Sequence, residues 1–284
     1  MPELPEVETV RRGLEPYLRG KKIRSLDILH NGAHRATTYL PLSAANGATI
    51  KEVRRKGKFL WFDLNRDFAL VAHLGMSGQF VLRPRKSELE RHARARLDFG
   101  DKREEIRFID QRTFGWLAID ELVETEHGLV PISMQHIAFD IFDDRYDQKS
   151  VIANIRRRKS EIKRVLLNQE IVSGIGNIYA DEALWLSKIH PERIASTLSE
   201  KEVATILRST RKIMERALAE GGTSFDDMYI NVNGESGYFE VSLRVYGREG
   251  EPCRRCAGPI RRIAFANRSS HFCPKCQPRG RNTR

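Results

Sequence analysis

The 284-residue sequence predicts an α+β multidomain chain: a β-rich N-terminal domain led by one helix, a helical domain, and a small cysteine-bearing C-terminal hairpin. Three observations carry this. Between about residues 23 and 122, short apolar and alternating runs are separated by turn residues, the pattern of many short strands in a sandwich or barrel. From Val151 onward, apolar residues recur at helical spacing instead. All four cysteines fall in the last 32 residues, as Cys253-x2-Cys256-x16-Cys273-x2-Cys276.

The first helix is expected over residues 5 to 18, where Val7, Val10, Leu14 and Leu18 share a face and Pro5 fits the first turn. Strands are expected at Phe59–Leu64, Ala69–His73, Gln79–Leu82, Ile106–Asp110 and Trp116–Ile119. The stretch from Glu124 to Lys149 lacks periodicity and reads as the interdomain connection. Val151, Ile152, Ile155, Ile162, Val165 and Leu166 then restore a helical face. A second helix should run from about Asn177 to Ser187, after the turn Ser173-Gly174-Ile175-Gly176. A third opens on the capping box Ser199/Glu202 and ends at Gly221-Gly222. A polar segment, Asn231 to Gly237, leads to one more strand-like run and the cysteines. The resulting boundaries are domains at 1–135, 151–250 and 251–278, a linker at 136–150 and a disordered basic end at 279–284.

Each Cys-x-x-Cys pair places two thiolates on one tight turn, and 16 intervening residues allow a hairpin that unites the pairs. Four sulfurs at about 2.3 Å close a tetrahedron around one structural Zn2+ and leave no position open for chemistry. Two disulfides fit the same count, but the N-terminus does not read as a signal peptide, and a reducing compartment suits metal-bound thiolates better. From Pro252 to Arg284 there are nine Lys or Arg residues and no acidic one, within a chain of net charge +11. That excess points to a polyanion, nucleic acid being the commonest. Solubility alone would also explain a positive chain, though not the concentration of charge beside the cysteines. No apolar run approaches 18 residues and no long basic amphipathic helix is present, so a membrane is not expected.

Removal of Met1 would leave Pro2 as an N-terminal secondary amine, with Glu3 beside it. An α-amino group has a pKa near 8, and a following helix N-terminus disfavours the ammonium further. Attack by such an amine on an aldehydic carbon gives an iminium that cannot lose its charge by N-deprotonation, and Glu3 could serve as acid and base. Met-Pro starts are common, and Glu3 could merely favour the helix dipole. Lys58, in a basic run before a strand, fits a phosphate ligand, a proton donor or a solvated strand-edge lysine. His73 closes a strand before Leu74-Gly75-Met76-Ser77-Gly78, a turn that presents one methionine between glycines. Met76 is a candidate wedge between bases or a core side chain. Arg112 and Phe114 pair a cation with an aromatic on one turn, though Phe114 also suits a core. The turn at Gly174, Gly176 and Asn177 offers amides to a phosphate or simply joins two helices.

These residues lie in motifs that together resemble the formamidopyrimidine-DNA glycosylase family, relatives of endonuclease VIII, over nearly the whole chain. The motifs are Pro2-Glu-Leu-Pro-Glu-Val-Glu-Thr-Val-Arg-Arg-Gly13, Gly57-Lys-Phe-Leu60, His73-Leu-Gly-Met-Ser-Gly78, Ser173-Gly-Ile-Gly-Asn-Ile-Tyr-Ala180, Gly237-Tyr-Phe239 and the four-cysteine tail. The resemblance implies an N-terminal β-sandwich with a leading helix, a helix-two-turns-helix domain and a zinc-finger β-hairpin. It implies a bifunctional glycosylase and lyase that removes oxidised purines from damaged double-stranded DNA in the bacterial cytoplasm, at the nucleoid. A monomer without an obligate protein partner is expected because a single chain already carries every required part. By that resemblance Pro2 is the nucleophile, Glu3 handles protons, Lys58 is the proton donor for β-elimination and Arg268 serves δ-elimination. Met76, Arg112 and Phe114 fill the void left by the flipped base, His73, Asn177, Lys58 and Arg268 bind phosphates, and His92 and Arg158 align with DNA-contacting positions. The segment from about Thr223 to Tyr238 resembles the loop that closes over the lesion. Gln111 and Thr113 depart from the family pattern, replacing a proline and a second arginine. The nearest alternative is an endonuclease VIII-like enzyme for oxidised pyrimidines, against which Leu4 and the long loop before Gly237 argue. A non-catalytic zinc protein that binds DNA is the rival from another class.

Overall fold

The computed structural model describes residues 2–33, 40–101, 103–125, 128–221 and 242–280. It contains two compact units, one of residues up to His136, the other of Ile137–Ala219 with the described residues from 242. The polar segment 223–238, the start of the strand-like run after it, and the basic end from 281 lie outside the described residues.

The first unit opens with α1 (Leu4–Leu18), whose N-cap is Glu3 and whose second residue is Pro5. The Glu3 N–H donates to Glu6 Oε2 at 2.9 Å, closing a capping box. Val7, Val10, Leu14 and Leu18 are buried and share a core with Leu60, Phe62, Phe80 and Phe108. Among the described residues nine strands follow: β1 (Ser25–Ile28), β2 (Ile50–Lys56), β3 (Phe59–Leu64), β4 (Phe68–His73), β5 (Gln79–Pro84), β6 (Ala93–Asp98), β7 (Glu104–Ile109), β8 (Trp116–Thr125) and β9 (Gly128–Pro131). They form two antiparallel sheets, ordered β1-β6-β7-β5 and β2-β3-β4-β8-β9. Phe62 of one sheet meets Phe80 of the other edge-on at 5.7 Å, so the sheets face each other as a sandwich rather than closing as a barrel. β9 lies in the stretch expected to be irregular; its four residues, Gly-Leu-Val-Pro, are too few to show alternation.

The second unit begins with α2 (Gln148–Arg156) and α3 (Ile162–Leu166). The apolar period from Val151 to Leu166 suggests one continuous helical face, but the chain breaks between them. There Arg158 and Ser160 carbonyls accept the N–H groups of Ser196 and Ala195, both at 2.9 Å, so tertiary pairing replaces the helical ladder. α4 (Asn177–Leu186) and α5 (Glu200–Ala219) follow. The Ser199/Glu202 capping box forms as expected, with Ser199 N–H to Glu202 Oε2 at 2.8 Å and Glu202 N–H to Ser199 Oγ at 3.2 Å. β10 (Arg261–Phe265) and β11 (Arg268–Phe272) make an antiparallel hairpin. Its loop, Ala266-Asn267, has φ of 45° and 60°, the two-residue geometry that matches strand twist.

Candidate active site, nucleic-acid contacts and metal centre

Pro2 and Glu3 are buried at the start of α1, where helix amides favour carboxylates. Further along the helix, Glu8 accepts from Arg11 Nε at 3.0 Å, Arg12 Nε at 2.8 Å and Arg55 Nε at 3.0 Å. Burial opposes its charge, but the Arg11 hydrogen bond and the Arg55 charge more than offset that and hold the carboxyl at about 2. Arg55 also donates Nη1 to the Gly57 carbonyl at 2.8 Å. Gly57 takes φ 57° in the β2–β3 turn, and Lys58 next to it is only 7% exposed, which removes the solvated strand-edge reading.

His73 ends β4 and stacks on Trp116, ring centroids 5.8 Å apart. Its Nδ1 accepts the Gly75 N–H at 3.1 Å, so the neutral ring carries its proton on Nε2, the tautomer able to donate to a phosphate. The β4–β5 and β7–β8 turns touch. A Cβ on Gly75 would lie 2.4 Å from the Gly115 nitrogen and from the Phe114 carbonyl carbon, so glycine alone permits the approach. Met76 is 39% and Phe114 58% exposed, so neither is a core side chain. Arg112, also exposed, brings Nη1 to 3.7 Å from Met76 Sδ. Thr113 between them has φ 56°, a strained value for a β-branched residue. The His92 carbonyl accepts the Asp110 N–H at 2.9 Å, which places it beside the same turn.

In the second unit, Arg158 is exposed just beyond α2. Asn177 is the first residue of α4, whose opening turn holds no acidic residue and no side-chain cap. Gly174 has φ 88°, and Gln169 pins the preceding loop through the Gly174 N–H and the Ile175 carbonyl. Asn177 Oδ1 and Ser173 Oγ are buried without a hydrogen-bond partner among the described residues. The start of a helix, with its amides and positive dipole end, suits a phosphate. Arg268 is exposed as the first residue of β11.

α4 anchors both the hairpin and the segment that leads to it. Asp181 lies 2.7 Å from Lys163 Nζ and accepts from Ser270 Oγ at 2.7 Å and the His271 N–H at 2.8 Å, while Lys163 donates to the Ser269 carbonyl at 2.9 Å. Both charges are essentially fully buried. Glu182, also buried, accepts the N–H groups of Arg244, Val245 and Tyr246 at 2.8–3.0 Å; burial raises its pKa against those bonds. Sequence reasoning passed over these residues. Their signal is a charge in apolar company: Lys163 among Ile162, Val165 and Leu166, and Asp181-Glu182 between Ala180 and Ala183.

The four cysteine sulfurs lie within 4.8 Å of one another, with Cys253–Cys276 at 3.9 Å and Cys256–Cys273 at 3.5 Å. Ligand sulfurs around tetrahedral zinc stand roughly 3.8 Å apart, so the set fits one ion. Burial opposes ionisation at Cys253, yet the Arg255 N–H and the Trp185 indole N–H bring the thiol down to about 6. Burial pushes Cys273 up to about 12, so this crowd of sulfurs needs a cation to ionise together. Trp185 Nε1 is 3.4 Å from Cys253 Sγ, and the Arg255 guanidinium lies 4.1 Å from the indole centroid.

Three family models match in succession: the formamidopyrimidine-DNA glycosylase N-terminal domain over residues 1–117, the H2TH domain of the same enzymes over 137–228, and a zinc finger found in FPG and IleRS over 250–279. The formamidopyrimidine-DNA glycosylase of Thermobifida fusca is 48% identical over 297 residues, covering 100% of both chains. A Lactococcus lactis FPG mutant solved with Fapy-dG-containing DNA superposes with a TM-score of 0.85 at 34% identity, covering 98% of this chain and 100% of that one. MutM in complex with DNA containing carbocyclic 8-oxo-G gives 0.84 at 34% identity, with the same coverage. The chain thus belongs to the formamidopyrimidine-DNA glycosylase family.

Proposed function

We propose that this enzyme excises 8-oxoguanine and formamidopyrimidines from duplex DNA through a covalent bond to Pro2 and then cuts the strand. Relatives named for this glycosylase activity, and solved complexes with Fapy-dG and 8-oxo-G DNA, support the lesion class. The observation that carries the chemistry is the Glu8–Arg55–Gly57 bridge, which ties the turn bearing Lys58 to the helix that starts immediately after Pro2 and Glu3.

A stacked base is out of reach, so the damaged nucleotide must be flipped out, at a cost of a few kcal/mol. Met76, Arg112 and Phe114 fill the space it leaves, with Arg112 toward the orphaned partner base. His73, Asn177, Lys58 and Arg268 hold phosphates, with His92 and Arg158 as further backbone contacts. Once Met1 is removed, the Pro2 nitrogen attacks C1′, the electrons of the glycosidic bond leave with the base, and the sugar ring opens to an iminium. Glu3 gives and takes the protons this requires. The iminium withdraws electrons from C2′, whose proton is lost as the 3′ phosphate departs, with Lys58 as proton donor. A second elimination, served by Arg268, expels the 5′ phosphate and leaves a one-nucleotide gap with phosphates on both sides. Zinc takes no part in these steps; bound by Cys253, Cys256, Cys273 and Cys276, it shapes the hairpin. Among the described residues no helix is long and apolar enough to cross a membrane. The bacterial relatives and the DNA substrate support a place at the nucleoid.

Borohydride trapping on a duplex with one 8-oxoguanine opposite cytosine tests the reading. A covalent protein–DNA band that maps to the N-terminal peptide, and weakens in Pro2→Gly, is expected. Trapping only on an oxidised-pyrimidine duplex would reassign the lesion class, and a band mapping elsewhere would refute Pro2.

A further inference from the structure

We infer that Asp110 is the positioning residue for the void-filling side chains and, through them, sets the preference for the base opposite the lesion. The inference rests on the reading of Met76, Arg112 and Phe114 given above. Asp110 is fully buried just past β7. Its Oδ1 accepts the Ser77 hydroxyl at 2.5 Å and the Arg112 N–H at 3.1 Å, and its Oδ2 accepts the Gly115 N–H at 2.6 Å. Ser77 Oγ lies 3.2 Å from the same Arg112 nitrogen. The main chain of Asp110 is used as well: its N–H reaches the His92 carbonyl at 2.9 Å, and its carbonyl accepts Arg94 Nε at 2.7 Å.

One carboxylate therefore holds both ends of the 112–115 turn and, through Ser77, the neighbour of Met76. No ion pair to Asp110 is found among the described residues; its charge is met by N–H and O–H groups aimed at it. A buried carboxylate without a cation is costly unless its bonds are all made. Here those bonds fix backbone, while the working tips of Arg112, Phe114 and Met76 stay in solvent. The strained φ of Thr113 persists only where surrounding contacts over-determine it, and the carboxylate bonds on either side supply that constraint. The close passage of Gly75 against Gly115 means the two turns shift together if either shifts.

Asp110→Asn keeps the volume but turns one acceptor into a donor facing other donors. The test compares wild type, Asp110→Asn, Ser77→Ala, Arg112→Ala/Phe114→Ala and the combined triple variant in single-turnover excision of 8-oxoguanine opposite cytosine and opposite adenine. Cleavage of a single-stranded abasic oligonucleotide, which has no orphaned base, serves as the reference. Asp110→Asn should lower duplex excision about tenfold or more, and compress the cytosine-to-adenine ratio toward one. Single-strand cleavage should stay within about twofold, and Asp110→Asn should add no further loss in the Arg112→Ala/Phe114→Ala background. Ser77→Ala should move the same way by less, which covers a failure of Asp110→Asn to fold. If Arg112→Ala/Phe114→Ala lowers excision and the ratio while Asp110→Asn and Ser77→Ala leave the ratio at the wild-type value, the positioning role is wrong. Equal losses in every assay and background would make Asp110 merely structural and likewise overturn it. If Arg112→Ala/Phe114→Ala changes neither quantity, the reading of the trio fails first, and the inference with it.

Discussion

Arg55 and Glu8 meet across 47 positions of sequence at 3.0 Å, and the same guanidinium donates to the Gly57 carbonyl at 2.8 Å. A planar fork can serve a carboxylate and a carbonyl at once, which an ammonium cannot do in the same geometry. Arg55→Lys should therefore slow borohydride-trappable turnover about tenfold with duplex binding retained, since misplacing a catalytic group costs rate before affinity. Single-turnover trapping beside a gel-shift titration checks this; a wild-type rate would refute it.

The same pair makes a pH prediction. The folded pKa of Glu8, about 2, lies below its ordinary 4.5, so its contribution is fully present above pH 4.5 and is lost as pH falls toward 2. The contribution is on the order of 3 kcal/mol. The stability gap between wild type and Glu8→Gln in urea unfolding should be widest near pH 6 and shrink steadily below pH 4.5.

Phe114 is more than half exposed, so Phe114→Ala should change thermal stability by about 0.5 kcal/mol or less. Excision from duplex should nevertheless fall about tenfold or more, because stacking of a base on an aromatic ring is worth about 1–3 kcal/mol. A melting curve and a single-turnover assay on one preparation separate the two effects.

Lys163 and Asp181 form a buried pair, and removing one partner strands the other charge. Lys163→Met should cost about 3–5 kcal/mol, with Lys163→Met/Asp181→Asn recovering part of the loss. Urea unfolding of both variants measures it, and additive losses would show that the pair is not coupled.

Trp185→Phe preserves the ring against Arg255 but removes the N–H that reaches Cys253. Zinc transfer to a chromogenic chelator should quicken about tenfold, the usual scale for a lost partner of a ligand atom. Complete chelation should abolish binding to damaged DNA while the β-rich unit stays folded by circular dichroism.

The legible parts of this chain were those set by local rules. The helix from Leu4, the strand at Phe59–Leu64, the Ser199/Glu202 cap and the cysteine knuckles all follow from spacing within a few residues. What spacing could not reveal depends on residues distant in sequence. The break after α2 comes from pairing with residues near 195, and nothing local marks Asp110, the last residue of the expected strand Ile106–Asp110, as the partner of Ser77 and Gly115. Lys163 lies between the apolar positions Ile162 and Val165, but only the fold shows that Asp181 is the reason a charge is tolerated there.

α4 begins at Asn177 and carries Asp181 and Glu182 in its middle and Trp185 near its end, bonded in turn to the hairpin, to the backbone at Val245 and to Cys253. An α-helix advances 1.5 Å and turns 100° per residue. One residue inserted or deleted between Asn177 and Trp185 would therefore swing the later contacts away from the hairpin and the cysteine cluster. Point changes on this helix can be repaired one at a time, whereas a single-codon insertion breaks several contacts at once. Its ten residues behave as a ruler whose markings can be redrawn but whose length is fixed.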